Sequence, residues 1–93
     1  MINIKLMKSG PVEGARIHAL CRERGTRLMV GCMLESRVGM TAAVHFAAGL
    51  GGFEFVDLDP HGGDADPFTG GPAFEAPYHR LASTADGLGV TPR

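Results

Sequence analysis

The chain has 93 residues, with Lys+Arg 9 against Asp+Glu 10 and a formal net charge of −1. A chain of this length holds at most one small domain, whose limited core removes only about 60 to 65% of the unfolded surface from water. The near balance of charge excludes the electrostatic footprint of a nucleic-acid or anionic-membrane binder, so a small molecule or another chain is the expected partner.

Residues 2 to 7 alternate as a strand does, with Ile2, Ile4 and Leu6 on one face and Asn3, Lys5 and Met7 on the other. Ser9-Gly10-Pro11 then supplies turn residues and a proline suited to a first helical position, and Glu13 suits the positive helix start. A helix is expected over residues 12 to 24, with Ile17, Leu20 and Cys21 as its apolar seam and Gly25 as a left-handed stop. A second strand over residues 27 to 33 puts Leu28, Val30 and Cys32 on one face and Met29, Gly31 and Met33 on the other; continued parity places Glu35 with the second set. Ser36 can cap a helix over residues 37 to 48, whose Gly39, Ala42, Ala43, Ala47 and Ala48 let it lie close on a sheet before Gly49, Gly51 and Gly52 end it. The third strand, residues 53 to 58, carries Phe53, Phe55 and Asp57 on one face, with Asp59 in the same parity just beyond, and Glu54, Val56 and Leu58 on the other. The order βαβαβ, with crossovers of this length, predicts a parallel sheet with right-handed connections.

From Pro60 onward turn formers dominate, so the chain divides into an α/β part, 1–59, and a loop-rich tail, 60–93, expected to be irregular or to hold a short hairpin. Phe68, Phe74, Tyr78, Leu81, Leu88 and Val90 are its apolar anchors. The histidines, His18, His45, His61 and His79, show no metal-ligand spacing. Asp57, Asp59, His61 and Gly62 mimic the opening of an EF-hand loop, but its twelfth position falls on Phe68, where a bidentate glutamate is required, so the calcium reading fails. Cys21 and Cys32 form no CxxC pattern and read as buried thiols in a reducing compartment. No apolar stretch approaches the ~20 residues of a membrane span, and the amino end lacks a basic region followed by an apolar one; the expectation is a cytoplasmic protein.

Each predicted strand delivers charge near its carboxyl end, where parallel α/β folds place their chemistry. Assigning Ile2, Ile4 and Leu6 with Leu28, Val30 and Cys32 to the helix layer sends Lys5, Glu35, Asp57 and Asp59 to the opposite, inward face, and selects Lys5 over Lys8. A lysine serves there as a proton-transfer base only where desolvation or neighbouring cations bring its pKa from about 10.4 toward 7 to 8. Paired aspartates can hold an ammonium group. Taken singly, each residue also has an ordinary reading: a solvated strand-end lysine, a glutamate answering a helix dipole, and an Asp-Leu-Asp turn before proline.

Three motifs in register, Ile2-Asn3-Ile4-Lys5-Leu6-Met7-Lys8-Ser9-Gly10, Gly31-Cys32-Met33-Leu34-Glu35-Ser36 and Val56-Asp57-Leu58-Asp59, resemble the dipeptide epimerases of the muconate-lactonizing subgroup of the enolase superfamily, L-Ala-D/L-Glu epimerase-like proteins among them. Asp66-Pro67-Phe68, Gly70-Gly71 and Gly87-Leu88-Gly89-Val90 in the tail are similar as well, so the resemblance spans essentially the whole chain. It implies the three βα units of strands six to eight of a (β/α)₈ barrel. It also implies that Lys5 is one of two acid/base lysines on opposite faces of a dipeptide α-carbon, that Glu35 lies at the rim near the substrate carboxylate, and that Asp57 and Asp59 bind the α-ammonium.

The family uses Mg²⁺ to stabilise the enediolate, with carboxylate ligands on strands three to five and the other lysine on strand two; none of these is expected in this chain. Pro11 replaces the second glycine usual after the first motif. A complete barrel needs about 250 residues, so the chain is expected to be a carboxyl-terminal fragment of such an enzyme, inactive by itself and binding no metal alone. The rival expectation is a non-catalytic module that self-associates through its strand edges or binds peptides.

Overall fold

The computed structural model describes residues 1–59, 67–81 and 86–93, so the turn-rich stretch 60–66 and residues 82–85 lie outside the described residues. Three short strands, β1 (Ile2–Ile4), β2 (Leu28–Gly31) and β3 (Phe55–Asp57), lie side by side in that order and pair in parallel. Ile2 to Ile4 run beside Leu28 to Val30, and Met29 to Gly31 beside Phe55 to Asp57. Parallel neighbours cannot be joined by a tight hairpin and need a crossover of a dozen or more residues. Helices α1 (Leu6–Arg24) and α2 (Arg37–Leu50) supply the two crossovers.

Strand alternation turns Ile4, Leu28 and Val30 toward the helices. Ile4 and Leu28 pack against Cys21 of α1, and Val30 packs against Met40, Ala43 and Val44 of α2 together with Leu58. Leu6 and Phe53 touch both groups and join them into one apolar layer. His18 is nearly buried on α1; its Nε2 lies 2.8 Å from the carbonyl oxygen of Gly51, tying α1 to the far end of α2. At the amino ends of the strands the Arg27 guanidinium donates two hydrogen bonds to the Glu54 carboxylate, at 2.6 and 2.5 Å. Those bonds hold the Glu54 carboxyl below its ordinary value. Both groups stand in solvent, so the pair fixes β2 against β3 in register more than it adds stability.

The helix stops and starts read from the sequence are present. Gly25 ends α1 at φ 67°, ψ 22°, and Ser36 Oγ accepts a hydrogen bond from the Gly39 N–H at 3.3 Å. The strands are shorter than expected. β1 ends at Ile4 rather than residue 7, because the Lys5 carbonyl accepts from the Lys8 and Ser9 N–H groups and opens a helical turn at once. That turn is interrupted at Gly10, φ 74° and ψ 169°, and Pro11 restarts the helix near the expected position. β2 stops at Gly31, short of residue 33, and β3 starts at Phe55 rather than residue 53. Phe53 was expected on the inward face; the positive φ of Gly51 and Gly52 swings the chain so that its ring packs on the helix side against His18 and Phe46.

The tail is more regular than a loop or a single hairpin. Strand β4 (Phe68–Gly70) pairs antiparallel with β7 (Val90–Pro92), and β5 (Ala73–Glu75) with β6 (Tyr78–Arg80). The first ribbon packs on α2, where Arg37 donates to the carbonyl oxygens of Phe68 and Gly70 at 3.1 and 2.8 Å. The second is placed by His79, whose Nε2 lies 2.7 Å from the Leu58 carbonyl oxygen.

The break at Gly10 uses a backbone region open essentially to glycine alone. Gly10→Ala is therefore expected to cost about 1–3 kcal/mol although a methyl group there meets nothing within 4 Å. Gly49→Ala, equally uncrowded but within α2, is expected to gain up to about 0.5–1 kcal/mol. Urea unfolding of the two variants beside the parent protein checks both signs.

Candidate active site

The face of the sheet away from the helices carries Asn3, Met29 and Phe55 at one level. One level nearer the carboxyl ends come Gly31 and Asp57, and Lys5, one residue beyond Ile4, stands level with both. Gly31 is glycine because Asn3 lies over it: a methyl group there would sit 2.8 Å from Asn3 Oδ1. A strand glycine of this kind marks a close approach. Lys5 on one outer strand and Asp57 on the other thus bound a trough two strand spacings or about 10 Å wide, with the Asn3 amide lying over Gly31 between them. Among the described residues no ion pair links Lys5 to a carboxylate. Beside Asn3 the floor of the trough is apolar and partly uncovered, with Met29 half-buried and Phe55 49% exposed.

Glu35 and Asp59 lie past the ends of their strands, where alternation no longer decides direction. Glu35 is only 8% exposed; its Oε2 accepts from the Met33 N–H at 3.2 Å, and its carboxylate sits against Gly39, where a methyl group would lie 3.1 Å from Oε1. It braces the turn into α2. Asp59 lies beside Cys32, its N–H reaching the sulfur at 3.5 Å and Cys32 Sγ standing 3.9 Å from Oδ2. Glu35, Asp57 and Asp59 thus gather around one thiol at the carboxyl end of β2, while Lys5 stays apart at the edge.

Cys32 was read from the sequence as a core thiol, and its sulfur does touch the apolar layer. Its place among the carboxylates was missed, although Cys32 stands between Gly31 and Glu35 in the motif itself. Burial pushes the thiol above its ordinary value; the Asp59 N–H opposes this, and the charges of Asp59, Glu35 and Asp57 add to it. The thiolate therefore forms only at higher pH than in a free cysteine. Alkylation by iodoacetamide, followed at Cys32 by peptide mass spectrometry, is expected to have its pH midpoint above that of free cysteine. Asp59→Asn removes a negative charge but keeps the backbone N–H, so the midpoint should move down; an unmoved midpoint would show that the carboxylate does not act on the sulfur.

Among the described residues no three His, Cys, Asp or Glu side chains converge as a group that could hold a metal ion. The described side chains of this face do not fit a magnesium site. What they offer is a cation at one rim of an apolar trough and carboxylates at the other, an arrangement suited to a small zwitterion.

Comparison with known proteins gives this arrangement a context. A protein of Citrifermentans bemidjiense named hydrophobic dipeptide epimerase is 43% identical over 98 residues, taking in 99% of this chain and 25% of that protein. The solved mandelate racemase/muconate lactonizing enzyme from Roseiflexus sp. superposes with a TM-score of 0.89 at 49% identity, over 98% of this chain and 26% of its own. The dipeptide epimerase from Enterococcus faecalis V583, solved in complex with Mg and the dipeptide L-Leu-L-Tyr, superposes with a TM-score of 0.85 at 42% identity, over 97% of this chain and 26% of its own. The chain spans about a quarter of the length of the relatives it matches, and its three parallel strands with their helices are part of a barrel. With the enolase C-terminal domain-like model matching residues 1–93, the chain belongs to that family.

Proposed function

We propose that this chain contributes the carboxyl-end quarter of a dipeptide epimerase active site, with Lys5 as one of the two groups that exchange a proton at the substrate α-carbon. The observation that supports this most directly is the common face and level of Lys5, Gly31 and Asp57 at the carboxyl ends of parallel strands. A dipeptide whose α-ammonium lies toward Asp57 and Asp59 spans the trough above the Asn3 amide and brings its second residue toward Lys5. There the neutral Lys5 amine takes the α-proton and becomes an ammonium group, or in the reverse sense the ammonium returns a proton to the carbon. Inversion needs a second carrier on the opposite side of that carbon, which this chain does not supply. Glu35 shapes the rim through the turn that it braces, and Ser36 starts α2 directly behind it.

A second reading, a non-catalytic module that self-associates or binds peptides, is favoured by the exposure of Phe55 on the face that carries the trough. One experiment separates the two. The chain is joined behind the preceding barrel segments of a dipeptide epimerase, and deuterium entry at the α-carbon of L-Ala-L-Glu is followed in D₂O with magnesium. Exchange is expected from the joined protein and none from the chain by itself. Lys5→Ala should lower the joined protein's exchange by about 10²- to 10⁴-fold. Asp57→Asn should raise KM about tenfold for dipeptides with a free amino terminus, with a smaller effect on kcat. Undiminished exchange in the Lys5→Ala protein would sink the assignment.

A further inference from the structure

We infer that Cys32 and His79 are positioning residues for the carboxylates of Asp57 and Asp59: from two separate elements they hold the opposite ends of the one peptide bond, between Leu58 and Asp59, that sets the direction of the second carboxylate against the first. The inference rests on the proposed reading of the two aspartates as the site of a dipeptide's α-ammonium, and it names what keeps that site in shape. β3 ends at Asp57, so this peptide lies beyond the sheet ladder, and among the described residues no backbone group of another strand bonds it. Side chains do so instead. The Asp59 N–H reaches Cys32 Sγ at 3.5 Å, and the Leu58 carbonyl oxygen lies 2.7 Å from His79 Nε2. A carbonyl oxygen only accepts, so Nε2 carries the proton and donates. The N–H and C=O of a trans peptide point opposite ways, and the two side chains therefore grip it from opposite sides.

Each grip is itself anchored. Cys32 follows directly on Gly31, the last residue of β2, and packs against the apolar layer. His79 stands opposite Phe74 in the β5–β6 ribbon, and the two rings stack at a tilt with their centroids 4.9 Å apart. The Leu58 side chain is buried in the same apolar layer, so the residue that carries the carbonyl is fixed as well. Cys32 also reaches the carboxylate, its Sγ standing 3.9 Å from Asp59 Oδ2, and so meets both the backbone and the side chain of that residue. The consequence is chemical. An ammonium group donates to two carboxylates at once only where their separation is held. Asp57 takes its place from β3, whereas Asp59 is exposed and past the strand, and rotation of its peptide would swing its carboxylate away from Asp57. On this inference the β5–β6 ribbon serves the site by presenting His79.

The joined protein of the exchange experiment supplies the kinetic test. Cys32→Ala and His79→Phe, the latter keeping a ring against Phe74, are each expected to raise KM for L-Ala-L-Glu about three- to tenfold with little change in kcat. Cys32→Ser and His79→Gln keep an acceptor and a donor in those places and should recover most of the loss. In an Asp59→Ala background neither Cys32→Ala nor His79→Phe should raise KM further, because the group that they place is gone; a merely structural role would add to the loss of Asp59. Amide hydrogen exchange of this chain, followed by NMR, reads the grip without catalysis. The Asp59 N–H is expected to exchange about three- to tenfold faster in Cys32→Ala and in His79→Phe, and to return toward the parent rate in Cys32→Ser. KM values unchanged in both variants overturn the inference. So do equal increases with and without the Asp59 carboxylate, or an Asp59 amide whose exchange neither variant alters. Failure of the dipeptide reading shows separately, as undiminished α-carbon exchange by the joined Lys5→Ala protein.

Discussion

Parallel pairing of β1, β2 and β3 is the constraint to which the other parts of this molecule answer. Each connection must return the chain to the same end of the sheet, which requires α1 and α2, and both helices land on one face because right-handed crossovers leave no other choice. Burial follows. Leu28 and Val30 disappear beneath the helices, while Met29 and Phe55, their neighbours in sequence or in register, stay partly in water. Shared polarity also collects three strand ends at one rim, and the charged side chains arrive there together because each follows its strand by only a few residues.

The same constraint leaves the molecule one-sided. Among the described residues the helices lie on one face of the sheet only, and β1 and β3 are its outer strands. The charged residues stand at the opposite face and at those strands. The solved relatives of the family are about four times longer than this chain.

Much of this was legible in the residues. Period-two alternation located all three strands, and Gly25 and Ser36 marked helix ends through local chemistry that needs no tertiary partner. The errors fall where parity was carried beyond the strands. Gly31 ends β2, so Glu35 takes its direction from the Met33 N–H and the closeness of Gly39, and Phe53 is redirected by two glycines with positive φ. The tail was least legible. Its strands are three residues each, too short for a periodic signal, and they are held by non-local bonds from Arg37 and His79 that the sequence does not announce.

The bonds made by Arg37 reach further than the ribbon they hold. The residue opens α2 directly behind Ser36 and Glu35, and its guanidinium grips two carbonyl oxygens of a strand more than thirty positions later. The turn that places Glu35 is therefore mechanically continuous with the end of the chain. The carbonyl oxygens of β4 are thus tied, through one side chain, to the start of α2 beside the rim where the charges of the trough stand.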